Sequence, residues 1–151
     1  MLAMRIALAA DHAGYELKDA LAAWLRESGH HVTDLGTNGS ESVDYPQFGA
    51  MLAAEIAAGR AERGIAVCGS GIGISIAVNR EPKCRCARVD DPLSARLARE
   101  HNDANVLAMG GRLIGQDMAR ACVSEFLGTD FAGGRHERRV GQLSALLEDS
   151  D

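Results

Sequence analysis

Apolar and polar residues follow two alternating periods along this chain. Met4–Ala9 is a short apolar run that leads into a turn-like segment, Ala10–Gly14. Leu17, Leu21, Trp24, Leu25 and Ser28 then recur at the spacing of one helix face. Gly29 follows where a helix-terminating glycine is expected. His31–Leu35 predicts a second strand, and Gly36–Tyr45 is a polar loop rich in Gly, Ser, Thr and Asn. Pro46 suits the first turn of a helix in which Phe48, Leu52 and Ile56 share a face. Gly64–Cys68 predicts a third strand, followed by a short helix from about Gly73. Cys84–Val89 predicts the fourth strand, and Asp91 with Pro92 an N-cap and first turn for a helix to about His101. Asn105–Met109 predicts the fifth strand, and Gly115–Phe126 and Arg135–Leu147 the last two helices. Five strand-then-helix repeats with short connections and right-handed crossovers predict an α/β fold. Its five-stranded parallel sheet is covered on both faces, an α/β/α sandwich. The 151 residues suit one domain over 1–151, with no linker, low-complexity segment or short-period repeat.

In open parallel sheets, ligands bind at the carboxyl ends of the strands, near the switch in strand order. By that rule Asp11 and His12 follow the first strand, Asp44 and Tyr45 the second, and Cys68 and Ser70 the third. Asp90 and Asp91 follow the fourth, and Gly110–Arg112 the fifth. One edge thus collects an acid, a histidine, a thiol, hydroxyls and an arginine. Its centre is Ile65–Ser75, I-A-V-C-G-S-G-I-G-I-S, in which Gly69, Gly71 and Gly73 fall at every second position. A strand opening into a glycine-rich turn and a helix points backbone N–H groups into the turn, making a nest for negative charge. The same field favours a thiolate over a thiol at Cys68. The plainer alternative is a tight turn carrying a buried structural cysteine.

Composition narrows the partners. Apolar residues make up 46% and charged residues 25%, ordinary for a globular protein, while scarce aromatics and abundant Ala and Gly favour close helix-on-sheet packing. A net charge of −5 argues against general attraction to nucleic acid or acidic membrane, so an anionic ligand needs a local basic cluster. No run approaches the length of a membrane span. The start, M-L-A-M-R-I-A-L-A-A-D-H, lacks a basic n-region and a long apolar stretch, so no signal peptide is expected. Cysteines at 68, 84, 86 and 122 fit reduced thiols and a cytoplasmic setting.

Each remaining candidate has a bland counterpart. His12 is either a functional partner of Asp11 or a loop histidine. His101 shares a face with Leu93 and Leu97, so it is expected to point inward, yet Asn102, Asp103 and Asn105 add more polarity than a core needs. Arg135 and Arg139, four residues apart, either grip a phosphate or face solvent. Cys84-x-Cys86 lacks a second pair to complete a metal site, so no metal is expected. His30-His31 reads as exposed polarity. A dinucleotide fingerprint fails because the third glycine comes one residue early, at Gly73, with Ile74 in its place. A Cys-x5-Arg phosphatase loop fails because Ile74 stands where arginine is needed. Cys68 therefore has an anion nest without a charged clamp, which suits an oxyanion formed during reaction. A phosphate would fall to His12, Arg112 and the Arg135/Arg139 pair.

Together, several blocks resemble the B-type ribose-5-phosphate isomerases, in the group that includes galactose-6-phosphate isomerase. They are A-D-H-A-G at 10–14, G-T-N-G-S-E-S-V-D-Y-P at 36–46, C-G-S-G-I-G-I-S at 68–75, R-E-H-N-D-A-N-V-L at 99–107, G-G-R at 110–112 and G-G-R-H-E-R-R-V at 133–140. The resemblance implies a Rossmann-like fold and a homodimer, or a dimer of dimers, with each active site shared between subunits and no metal or organic cofactor. It implies a small sugar phosphate as substrate and Cys68 as the base that moves a proton between C1 and C2. Backbone amides of Gly69–Gly73, helped by Asn102, would stabilise the enediolate. His101 would open the furanose ring with Asp11, Asp44 or Ser70 nearby, Ser70 standing where many relatives carry threonine. His12, Arg112, Arg135 and Arg139 would bind the phosphate, and Tyr45 lies in the same loop block. A six-carbon sugar phosphate is the alternative substrate, and a non-catalytic binding module with an inert Cys68 is the alternative class.

Overall fold

A computed structural model of the protein describes residues 2–148. Five strands form one parallel sheet: β1 (Arg5–Ala10), β2 (His31–Asp34), β3 (Arg63–Cys68), β4 (Cys86–Arg88) and β5 (Val106–Gly110), in the order β2-β1-β3-β5-β4. The helices are α1 (Tyr15–Glu27), α2 (Tyr45–Ala57), α3 (Ile72–Val78), α4 (Pro92–Asn102), α5 (Gln116–Gly128) and α6 (Arg135–Glu148). Alternate strand residues feed two cores. Ile6, Leu8, Ile65, Val67, Leu107 and Met109 face α1, α4 and α5. Ala7, Ala9, Ala66, Cys68 and Ala108 face α2 and α3 through Leu52, Ala53, Ile74 and Val78. The small residues on that second face let the short α3 lie close to the sheet. The layers and the number of strands match the pattern of the sequence.

Several expected boundaries shift for identifiable reasons. β4 is three residues long, against the expected Cys84–Val89. The Cys84 N–H turns back to the Glu81 carbonyl at 2.9 Å, and the Asn105 side chain takes the Arg85 N–H at 2.8 Å, so neither enters the ladder. Ser28 does not join the buried face of α1; it is exposed, and its hydroxyl donates to the Trp24 carbonyl at 2.8 Å. The cap signals hold: Gly29 lies at φ +94°, and Asp91 accepts the Ser94 N–H at 2.8 Å. His30 is not exposed polarity; it is buried, and its Nδ1 accepts the Met4 N–H at 3.1 Å.

One buried charge ties the first two repeats together. The Lys18 side chain is 0% exposed, and its Nζ donates to Asp34 at 2.6 and 2.7 Å, to Asp19 at 2.7 Å and to Asn38 at 3.1 Å. Lys18→Ala strands the Asp34 carboxylate and empties the space beneath the Gly36–Tyr45 loop. Loss of one partner of a buried pair costs about 3 kcal/mol, so urea unfolding of Lys18→Ala should show a matching drop in stability. An unchanged midpoint would mean that solvent already screens the pair.

Strand order switches between β1 and β3: the chain runs outward from β1 to β2, then returns to place β3 on the other side. The turns leaving β1 and β3 therefore mark the carboxyl edge where ligands of such sheets bind.

Candidate active site

The carboxyl edge carries the residues that follow each strand. After β1, Asp11 is buried, and its Oδ1 accepts the N–H groups of Ala13 at 2.9 Å and Gly14 at 3.1 Å. This acid therefore shapes the loop that leads into α1 and presents His12. His12 Nδ1 accepts the Val43 N–H at 3.1 Å, which pins the ring against the loop ahead of α2 and places its proton on Nε2 when the ring is neutral. Asp44 occupies the N-cap position of α2 without a side-chain cap bond, so its carboxylate is not consumed by the helix. The Tyr45 ring lies against Gly73 so closely that a Cβ there would come within 2.7 Å of it.

Cys68 ends β3, is 4% exposed, and its Sγ accepts the Gly71 N–H at 3.2 Å. Only glycine fits at 71: φ is +77°, and a Cβ would stand 2.7 Å from the Met109 carbonyl carbon. The Ser70 hydroxyl accepts the Ile72 N–H at 3.2 Å. The N–H groups of Gly73 and Ile74, next in the first turn of α3, have no intrahelical partner. The end of β5 is stitched to this loop, with the Gly111 N–H on the Cys68 carbonyl at 2.8 Å and the Arg112 N–H on the Gly69 carbonyl at 3.1 Å. The Arg112 side chain lies over Gly69, its Nη1 3.3 Å from where a Cβ would be. The carboxyl edge thus brings together Asp11, His12, Asp44, Tyr45, Cys68, the Gly69–Gly73 loop and Arg112.

A second cluster lies at the opposite edge. His101 and Asn102 close α4, just before β5 begins at Val106, whereas Cys68 pairs with Gly110 at the end of β5. The two levels are separated by roughly 13 Å along the strand. His101 does not point inward; it is exposed, and its ring stacks on that of His136 with centroids 4.5 Å apart. The buried face of α4 is instead Ala95, Ala98 and Arg99. Arg99 is held there by Asp103, Ala104 and Thr129 at 2.8, 2.8 and 3.1 Å. Arg135 and Arg139 are exposed on the first turns of α6, flanking His136. Partial burial first, then the positive charge of His101, Arg135 and Arg139, holds the His136 pKa below the ordinary histidine value. His101, His136, Arg135 and Arg139 thus gather around the start of α6, with Glu137 in the same turn, at the other edge of the sheet from the thiol of the same chain.

A profile of the Ribose/Galactose Isomerase family matches residues 6–143. The chain belongs to the ribose/galactose isomerase family. Ribose-5-phosphate isomerase B of Escherichia coli (strain K12) is 43% identical over 142 residues, 94% of this chain and 95% of its own. Ribose-5-P isomerase B of Listeria innocua is 38% identical over 143 residues, 95% of this chain and 97% of its own. The structure of Clostridium thermocellum ribose-5-phosphate isomerase B superposes with a TM-score of 0.96 at 45% identity, covering 98% of this chain and all of that one.

Among the described thiols of this member of the ribose/galactose isomerase family, Cys68 is the one whose sulfur accepts a backbone N–H. Burial pushes the Cys84 thiol up to about 12 and the Cys122 thiol up to about 11, and raises that of Cys86 as well, with Cys84 beside it. At neutral pH these three are protonated. Cys84 and Cys86 lie on the inner face near α2 and α3, and among the described residues no three His, Cys, Asp or Glu side chains converge as a metal site. Two residues near the clusters escape sequence reasoning. His136 had no spacing signal, because its partner His101 is on another helix. Arg88, on the edge strand, resembles any solvated arginine until its partners are seen: its Nε donates to the Ser70 carbonyl at 2.9 Å and its Nη1 to Asp90 at 2.6 Å.

Proposed function

We propose that the chain interconverts ribose 5-phosphate and ribulose 5-phosphate through an enediolate, the aldose–ketose isomerisation of the pentose phosphate pathway, in the cytoplasm. The observation that carries this reading is the pairing of the Cys68 sulfur with an N–H-lined glycine loop at the switch point of the sheet. Aldose–ketose isomerisation needs a base at the C–H bond and a preorganised hole for the oxyanion that forms beside it. Cys68 is the base; within Gly69–Gly73, the amides of Gly69, Ser70 and Gly73 form the hole, since that of Gly71 is held by the Cys68 sulfur and that of Ile72 by the Ser70 hydroxyl. Asp11, Asp44 and Ser70 stand at the same edge to assist ring opening.

The groups on the other edge enter through a second copy. His101 of the partner subunit opens the furanose ring, and Asn102 of the partner subunit joins the oxyanion hole. His12 and Arg112 meet the phosphate together with Arg135 of the partner subunit and Arg139 of the partner subunit. Ile72 and Ile76 support a homodimer, alone or within a dimer of dimers, because they are 52% and 51% exposed on α3 beside the glycine loop. Phosphate binding far from the reacting carbons positions them for proton transfer.

A panel of ribose 5-phosphate, allose 6-phosphate and galactose 6-phosphate, run with and without chelator, tests the assignment. Ribose 5-phosphate should be turned over fastest, with no loss in chelator; faster turnover of a six-carbon sugar would move the substrate and leave the reaction class standing. Arg139→Ala should raise KM far more than it lowers kcat, since a phosphate grip acts in ground and transition states alike. The effect should shrink for a sugar lacking the phosphate. An equal loss on both sugars would remove Arg139 from the phosphate site.

A further inference from the structure

One peptide unit beside Cys68 is held from both ends. The Ser70 carbonyl and the Gly71 N–H belong to the same trans peptide, so they point in opposite directions. The N–H donates to Cys68 Sγ at 3.2 Å, and the carbonyl accepts from Arg88 Nε at 2.9 Å. Arg88 reaches the loop from the next strand but one. It ends β4, which pairs with β5, and the glycine loop lies over the end of β5. The approach is tight: a Cβ on Gly110 would stand 2.8 Å from the Ser70 carbonyl carbon. The far end of the guanidinium is fixed by Asp90 at 2.6 Å, and the Arg88 side chain is only 26% exposed. The arrangement therefore has one anchor outside the loop, one planar fork and one peptide whose direction that fork sets.

We propose that Arg88 is a positioning residue for Cys68: by holding the Ser70 carbonyl it aims the Gly71 N–H at the sulfur and keeps the thiolate form supplied with a hydrogen bond. Arg88 touches neither the sulfur nor the substrate. Its action passes through the peptide, which it both orients and polarises, since a carbonyl that accepts from a cation leaves its own N–H a better donor. The effect on turnover rests on Cys68 being the base; the effect on thiol reactivity does not.

Three variants separate the hydrogen bond from the charge. Arg88→Met removes both. Arg88→Gln places an amide nitrogen at the same distance along the side chain as Nε, so it can donate to Ser70 while losing the charge and the Asp90 pair. Arg88→Lys keeps a charge but no donor at that position. The readouts are the rate of iodoacetamide alkylation of Cys68 against pH, followed by mass spectrometry of its peptide, and kcat and KM for ribose 5-phosphate. The other charged or titratable groups of this edge are the same in every variant: Asp11 and His12 after β1, Asp44 and Tyr45 at α2, Asp90 and Asp91 after β4 and Arg112 after β5.

Arg88→Met should slow Cys68 alkylation at neutral pH about fivefold, the scale of one lost hydrogen bond. The midpoint of its pH profile should rise by about half a unit or more. kcat should fall by a similar factor with KM little changed. Arg88→Gln should recover most of the loss, and Arg88→Lys little of it. Wild-type alkylation in Arg88→Met overturns the proposal, as does equal slowing in Arg88→Met and Arg88→Gln, which would make charge alone the cause. Turnover that survives Cys68→Ala overturns the base assignment instead, and the alkylation profiles still decide the role of Arg88.

Discussion

Cys68→Ala should reduce isomerisation about a hundredfold or more, the contribution of a positioned acid–base group, while the fold and sugar-phosphate binding persist. The side chain removed is small and sits at the end of β3, where its sulfur accepts a single N–H, from Gly71. No other described thiol can substitute: Cys86 pairs with Val106, at the opposite end of β5 from the Gly110 that pairs with Cys68, Cys84 precedes it, and Cys122 is buried in α5 on the other face of the sheet. Cys68→Ser should also be poor, since a hydroxyl ionises far less readily than a thiol. His101→Ala provides the contrast. It should slow the reaction of cyclic ribose 5-phosphate and spare the C–H step of ribulose 5-phosphate, which is already open-chain. Exchange of solvent deuterium into ribulose 5-phosphate reads that step alone: it should survive in His101→Ala and vanish in Cys68→Ala. Exchange at the wild-type rate in Cys68→Ala would make the thiol structural and pass the base role to Asp11 or Asp44.

The carboxyl edge was legible in the chain because its signals are local. Each strand ends in a polar or glycine turn, and strand order in parallel folds places those turns side by side. The amino edge was not, and α4 shows the reason. Leu93, Leu97 and His101 form the stripe with the stronger apolar signal, but Leu93 is 54% exposed. The face that packs is Ala95, Ala98 and Arg99, two residues too small to dominate a periodicity and one charge buried only because Asp103, Ala104 and Thr129 satisfy it. Lys18 was invisible for the same reason: its burial depends on Asp34 and Asn38, residues 16 and 20 positions away. Arg88 differs again, since its partner, the Ser70 carbonyl, is backbone and leaves no mark in composition. A stripe that looks like core, yet leaves Leu93 and His101 exposed and Leu97 half-buried, fits a surface that another copy covers.

Mixing Cys68→Ala with His101→Ala subunits should restore activity that neither variant has alone. In one chain the thiol and the histidine occupy opposite edges of the sheet, with β5 running between their levels. If each active site joins the carboxyl edge of one copy to the amino edge of its partner, a mixed dimer contains one site with both defects and one with neither. Random pairing of equal amounts makes half the dimers mixed, so the mixture should reach about a quarter of wild-type turnover of ribose 5-phosphate. The parent variants should each stay near a hundredth or below. The assay is best run on co-expressed, differently tagged subunits purified through both tags, where every dimer is mixed and the recovery should be about one half. Arg139→Ala combined with Cys68→Ala should complement in the same way at low substrate, because Arg139 stands on α6 beside His136 and travels with the His101 cluster. Activity no greater than the sum of the parents would mean that the thiol and the histidine cluster act in separate places, and the shared site would have to be abandoned.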